Sequence, residues 1–400
     1  MAETSSDRVI IAGGGPVGLT TALRLAQKGV PVTVLERETS IPRDYRAAGF
    51  HPSTMDLLED TGATQALLER GLKCPVMQYR DRDEGKIVEF DYSLLKNDTR
   101  HPYRIQCEGF KLSEWVISTL QSLPNAQVLF NHGLKALSQT EESVEATIDS
   151  PAGEYRLKGR YLIGADGGRS TVRKAVGIDY DGFTYPERIL VTGTTFDFKE
   201  ALDDICMINY IAGPGKSCFI FRLPDLWKIG VPVPDEVDDE TALTDEYVQG
   251  ELQDVFARDE DYDIHFRAVF RVHQRVAESY RVGRVLLAGD AAHVNHPAGG
   301  MGLNGGLHDA INLADRIARI WHGEARESEL DGYEVQRRPE AIEAVHKYTD
   351  RHFKHMQESN TDKRARILDE WRKLAEDRDL AYQHLITTSM IDSLRRSYQR

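Results

Sequence analysis

The chain has 400 residues, of which 40% are hydrophobic and 28% charged, and its 50 Lys and Arg against 64 Asp and Glu leave a formal charge of −14. That length exceeds one simple core and suits two domains, with the composition of an ordinary soluble globular protein. The acidic balance and the lack of any long basic stretch argue against a nucleic-acid partner, although an anionic small molecule needs only a local Arg.

Residues 1–7 are polar and few, unlike a signal peptide, and the apolar run after them is broken by glycine too soon to span a bilayer. A cytoplasmic protein without stable membrane association is the expectation. Residues 8–12 read as a buried strand; Gly13, Gly15 and Gly18 then fit the G-x-G-x-x-G spacing. Val17, Leu19, Ala22, Leu23, Leu25 and Ala26 keep helical periodicity until Gly29, and residues 30–35 form a second β-rich run that ends on Glu36. This is a complete βαβ unit. Its glycines let the backbone approach a pyrophosphate at the helix N-terminus, and Glu36 can accept hydrogen bonds from ribose hydroxyls. The motif by itself does not separate FAD from NAD.

A second apolar strand, residues 161–163, runs into Gly164-Ala165-Asp166-Gly167-Gly168-Arg169-Ser170 and an early Arg173. A carboxylate in such a turn can hold ribose or ribityl hydroxyls, or it can simply cap the next helix. Residues 189–196, 218–222 and 227–231 are β-prone and predict a sheet that roofs the substrate, while 235–246 is an acidic solvated loop leading into a helix around 247–256. A third strand, 285–288, opens into Gly289-Asp290-Ala291-Ala292-His293, then Pro297-Ala298-Gly299-Gly300-Met301-Gly302-Leu303-Asn304 and a helix. Asp290 can bind a cofactor hydroxyl, and the glycine run lets a helix N-terminus reach a flat anionic ring.

The cofactor motifs are interrupted twice. The expected fold is α/β: a discontinuous Rossmann-like cofactor-binding domain (1–72, 96–178 and 276–330), an inserted β-sheet substrate domain (73–95 and 179–275) and a C-terminal helical region (331–400). His346, His352 and His355 fall in that last region as exposed helical histidines, not as a metal site. Cys74, Cys107, Cys206 and Cys218 show no metal spacing and are expected as free thiols.

Taken together, the three glycine motifs resemble the single-component FAD-dependent aromatic hydroxylases, the para-hydroxybenzoate hydroxylase-like class A flavoprotein monooxygenases. The likeness runs from about residue 8 to about residue 318. Arg46-Ala47 through His51-Pro52-Ser53-Thr54-Met55 is similar to the family's flavin-facing segment, and Gln106 lies where the family often has a glutamine beside the ribityl chain. Residues 75–79, 181–188 and 280–306 look most like the hydroxylases of para-nitrophenol and related small phenols.

The resemblance implies non-covalent FAD, NADH or NADPH as co-substrate, dioxygen, and a flavin C4a-hydroperoxide that transfers OH to a small phenolic or heteroaromatic ring. It places Gly300, Met301, Gly302, Leu303 and Asn304 against the flavin. It also makes Arg37, Arg43 and Tyr45 candidates for nicotinamide docking, since no second dinucleotide motif exists. A general base or proton relay is expected for the phenol, with His51, His293 and His296 as candidates beside Pro297, and Tyr210, Phe219, Phe221 and Arg222 on the substrate sheet. His293, as part of the cofactor motif, can equally be structural. Epoxidases, Baeyer-Villiger-type enzymes, oxidases and a non-catalytic FAD-binding protein share these motifs and stay open, as do the oligomeric state, for which a homodimer is one option, and the choice of nicotinamide.

Overall fold

Val9–Ala12 is buried along its whole length and pairs in parallel with Tyr161–Gly164 on one side and Val32–Glu36 on the other. Ala126–Phe130 extends this sheet past Val32–Glu36, and Val285–Leu287 extends it past Tyr161–Gly164, both in parallel. Arg281–Val282 finishes the edge as an antiparallel hairpin partner, which makes six strands. The computed structural model from which this architecture is read describes residues 7–202 and 204–400, so the polar opening segment 1–6 lies outside it. Parallel strands need both faces covered, which is why these runs read as continuous Val, Ile and Leu. Helix Pro16–Gln27 makes the crossover and packs along Met301–Trp321, tied there by Arg24 Nε to Asp315 Oδ1 at 2.6 Å.

The second large sheet has eight strands, in the order His293–Val294, Phe266–Ala277, Tyr180–Thr194, Trp227–Val233, Cys218–Arg222, Ile208–Ala212, Val76–Asp81 and Gly85–Asp91. The hairpin at 76–91 thus joins strands more than a hundred residues later, through the parallel pair of Val76–Asp81 with Ile208–Ala212. His293–Val294, inside the third glycine motif, pairs with Arg275–Val276, so the chain passes from the six-stranded to the eight-stranded sheet within this motif. A three-stranded antiparallel meander, Gly133–Gln139, Val144–Asp149 and Tyr155–Gly159, precedes the strand Tyr161–Gly164.

The C-terminal region departs from a row of solvated helices. Leu368, Trp371, Leu385 and Ile386 pack into one apolar cluster with Tyr79, Phe90, Tyr92 and Tyr210 of the eight-stranded sheet. His346 and His352, expected on the exposed face, are only 8% and 6% exposed. They lie on the buried side of their helices: His346 Nε2–H donates to the Val294 carbonyl at 3.0 Å, and the His352 ring sits 4.9 Å from that of Tyr210. His355 is half-buried, and these three gather no metal-ligand set. The four cysteines are free thiols, and no helix among the described residues is long and apolar enough to cross a membrane.

One buried ionic knot fixes the helices to the third motif. Asp309 accepts from the Gly289 N–H at 3.1 Å, from His293 Nε2 at 2.8 Å and from Arg337 Nε at 2.7 Å. Burial alone would raise this carboxyl; the charges of His293 and Arg337 overcome it and hold the group at about 2. Removing one member leaves a buried charge unpaired, so Asp309→Ala should lose about 3–5 kcal/mol of stability in denaturant unfolding. A folded-state value below the unfolded one means that this stabilisation is present above about pH 4 and fades as pH falls toward 2. A loss under about 1 kcal/mol would show that the knot contributes little.

Candidate cofactor and substrate site

The three glycines of the first motif do different things. Gly13 has φ +110, and a side chain there would meet the Ala165 carbonyl oxygen at 2.3 Å; at Gly18 it would meet the Gly13 carbonyl oxygen at 2.1 Å. These two allow the strand, the helix and the Asp166 turn to close on one another. At Gly15 no atom lies within 4 Å of the position a Cβ would take. Gly15 is also the N-cap of helix Pro16–Gln27, which has no side-chain cap and no acid in its first turn. Helix Met301–Trp321 starts the same way, with Gly300 at φ +69, no side-chain cap and no acid. Two packed helices whose first amides are left uncapped suit an anionic dinucleotide, for which their dipoles supply positive potential.

Several carboxylates and amides expected to hold cofactor are spent on the protein itself. Glu36 accepts from the Gly14 N–H at 2.6 Å and the Glu38 N–H at 2.9 Å, bracing the phosphate turn with acceptor capacity to spare. Asp166 fits the capping alternative: it takes Ser170 Oγ at 2.5 Å, Thr171 N–H at 2.7 Å and Val172 N–H at 3.1 Å. Gly167, at φ +80 with open space around it, leaves only backbone on that turn. Asn304 is likewise a brace. Its Oδ1 accepts the His51 N–H at 2.9 Å, and its Nδ2 donates to the Gly49 and Gly300 carbonyls at 2.9 and 2.8 Å.

Met301 packs in a small apolar cluster with Val345, Tyr348 and Met390, and Leu303 packs on the main core. Gly302 sits close to the Asn295 side chain. Arg173 bridges the second and third motifs, donating to the Ala291 and Gly168 carbonyls, both at 2.8 Å, over the face of Tyr180, whose hydroxyl donates to the Asp290 carbonyl. The Asp290 residue is exposed. The protein crowded around it raises its affinity for a proton, against the opposing pull of His293 and Arg46. Arg46 pairs with Asp44 through Nε at 2.7 Å, and Gln106 is buried with an unpartnered Oε1 beside Gly49. Arg37 stands apart: its side chain is 77% exposed and paired with Glu38. Of the docking trio only Arg43 and Tyr45 come together, both against Phe110, with Tyr45 stacked on Phe266 at 4.1 Å.

An apolar pocket lies between the eight-stranded sheet and helix Lys347–Gln357, lined by Tyr210, Phe219, His296, Pro297, His352 and Phe353 among others. Phe221 stacks on Phe219 at 4.6 Å behind that wall. Arg222 is on the opposite face, because side chains alternate along a strand; it lies over its cross-strand partner Trp227 at 5.8 Å, which corrects its placement at the substrate. His296 Nδ1 accepts the Ala298 N–H at 3.1 Å, so its proton is on Nε2, and burial lowers its pKa to about 3. It is therefore a hydrogen-bond donor and a poor base. His293 is committed to Asp309, and His51 is fully buried with neither ring nitrogen partnered, its pKa pushed well down by burial and then by Arg104.

The structure adds residues that the sequence patterns did not single out. The Tyr79 hydroxyl lies 3.0 Å from the Tyr348 hydroxyl and 3.1 Å from His384 Nε2. Lys228 is 3% exposed and donates from Nζ to the Arg46 carbonyl at 2.8 Å; burial brings its pKa down to about 8. Tyr348 and His352 lie one helical turn apart in a region rich in charge, and of the two the sequence patterns drew attention only to His352.

A nucleotide-binding α/β fold with a second sheet over its strand ends defines a flavoprotein class, and comparison with known proteins agrees. The FAD binding domain family matches residues 7–348. Para-nitrophenol 4-monooxygenase of Pseudomonas sp. (strain WBC-3) is 33% identical over 398 residues, 97% of each chain. The 6-hydroxy-3-succinoylpyridine 3-monooxygenase HspB of Pseudomonas putida (strain DSM 28022 / S16) is 33% identical over 84% of this chain and 86% of its own. The crystal structure of p-nitrophenol 4-monooxygenase PnpA from Pseudomonas putida DLL-E4 superposes with a TM-score of 0.92 at 30% identity, covering 97% of this chain and 98% of that one. The chain belongs to the FAD-binding-domain family of flavoprotein aromatic monooxygenases.

Because Gly15 has space around it, Gly15→Asp should fold normally yet set a like charge at the phosphate position. FAD affinity should fall by at least ~100-fold with thermal stability of the FAD-free protein little changed. Unaltered FAD retention would remove the pyrophosphate from this turn.

Proposed function

We propose that this chain hydroxylates a small phenol with dioxygen and NADH or NADPH, the ring lying in the pocket between the eight-stranded sheet and helix Lys347–Gln357. One observation carries the reading: the pocket wall at His296 and Pro297 leads within three residues into Gly300, the uncapped start of helix Met301–Trp321. The names of the nitrophenol and hydroxypyridine relatives favour a small, electron-rich ring. FAD would lie on the backbone of Gly13, Gly15, Gly18, Gly167, Gly300 and Gly302, with Glu36, Arg46, Gln106 and Asp290 as polar partners. When bound it supplies the one-electron chemistry toward dioxygen that amino-acid side chains lack.

The residues of the chain do the rest. Phe219, Phe353 and Pro297 exclude water, and Tyr210 and His352 give the pocket its polar corner. His296 offers its Nε2–H to an oxygen of the ring, which orients the phenol without taking its proton. The Tyr348, Tyr79 and His384 contacts form a file of exchangeable protons, and His384 is partly accessible. Burial lowers the His384 pKa to about 3, so this file passes a proton on and does not store it.

The purified protein should be yellow, release FAD on heating and consume oxygen with NADH or NADPH several-fold faster when a phenol is added. His296→Ala should keep its FAD, lose about 10- to 100-fold in kcat/KM and divert reducing equivalents to hydrogen peroxide. Oxygen uptake that is the same with and without a broad phenol panel would contradict the proposal.

A further inference from the structure

Arg104 begins the strand Arg104–Gln106, which pairs with Gly49–Phe50 just before His51. It is 3% exposed, its Nε has no hydrogen-bond partner, and its NH2 group reaches the Thr388 carbonyl at a long 3.3 Å. Of the other buried arginines, Arg337 pairs with Asp309, Arg80 with Asp204 and Arg188 with Asp239, and Arg173 donates to two carbonyls at 2.8 Å, shorter contacts than Arg104 makes. No carboxylate among the described residues pairs with Arg104.

The groups that face it from the packed elements are tyrosine, cysteine and histidine side chains. Tyr92 lies with its ring 5.7 Å away, and the hydroxyls of Tyr210 and Tyr348 are close by. Tyr79 and Cys74, on the sheet and the strand before it, have burial holding their protons on. His51, His352 and His384 are kept unprotonated by burial, and Arg104 adds to that effect. The cluster thus holds one buried positive charge with no counter-charge, in a protein of net charge −14. Such a charge is costly unless something anionic joins it. Tyr210 stands between this charge and the pocket, since it lines the pocket and its hydroxyl lies beside Arg104.

We infer that Arg104 is the positioning residue that makes the substrate pocket select an anion: acting through the Tyr210 hydroxyl beside it, its charge favours the ionised oxygen of a phenolate drawn from solution. The inference rests on the proposed function and deepens it, from phenols in general to phenols acidic enough to bind as anions. The phenol's proton stays in bulk water, so no strong base is needed in the site, which agrees with the low proton affinity of His51 and His296. An ionised ring is also the more nucleophilic one.

The test uses the FAD-loaded enzyme, isothermal titration, and two probes of similar size: 4-nitrophenol, which ionises, and nitrobenzene, which does not. For the parent, 4-nitrophenol affinity should tighten as pH rises through the phenol's own pKa, while nitrobenzene affinity stays flat. Arg104→Met should weaken 4-nitrophenolate binding about 100-fold and nitrobenzene binding less than about 3-fold, and Arg104→Lys should recover part of the loss. Without ligand, the Arg104→Met protein should be at least as heat-stable as the parent, an outcome that a structural arginine would not give. Equal weakening of both probes, or lower stability with binding unchanged, overturns the inference. If the parent shows phenol-stimulated oxygen uptake while Arg104→Met binds 4-nitrophenol undiminished, only the inference falls. If the parent binds neither probe, the proposed function falls and the inference with it.

Discussion

The parallel register that sets Ala12 beside Gly164, and Gly164 beside Leu287, decides where the functional groups of this protein lie. Three strands from distant parts of the chain end at one edge, so three glycine turns open side by side there. Ligands in open α/β sheets bind outside the carboxyl ends of the strands. Gly13, Gly18 and Gly164 have neighbours where a side chain would sit, so the close approach that forms the site is also what lets the sheet and its helices pack.

Above that edge the eight-stranded sheet turns one face to the pocket and the other to its own core. Phe219 and Lys228 share the first face, while Ile220, Trp227 and Arg222 share the second. The C-terminal helices then close the pocket side: Tyr348, His352 and Phe353 reach it, and Leu368, Trp371 and Leu385 anchor them to the same sheet. The glycine turns and the pocket are therefore built by different elements. Asp309 couples them, since it binds both the Gly289 turn and Arg337 in the first C-terminal helix.

The cofactor half was legible because its signals are local. A strand, a glycine turn and a helix lie within thirty residues, and the backbone strain at Gly13 and Gly300 can be met only by residues of that kind. What each polar side chain does was much less legible. Asp166 and Asn304 occupy expected positions, yet their hydrogen bonds go to the protein, because a turn that must hold its shape needs internal partners first. Arg222 was misplaced by one residue of alternation. His352 and Arg104 were hidden for a different reason: their burial depends on contacts between distant segments, as in Arg104 with Thr388, 284 residues apart, and no local pattern records such contacts. The acidic run 235–246, expected as a solvated loop, instead holds the short helix Asp239–Ala242, whose Asp239 pairs with the buried Arg188 of the eight-stranded sheet.

The central claim, that bound flavin and this pocket together place one oxygen atom on a phenol, is tested most directly with isotopically heavy dioxygen. Turnover of 4-nitrophenol with NADH or NADPH under heavy oxygen should give a hydroxylated product carrying one heavy atom per nicotinamide oxidised, with little hydrogen peroxide. Product oxygen derived from water, or nicotinamide oxidation that ends entirely in peroxide, would contradict the account.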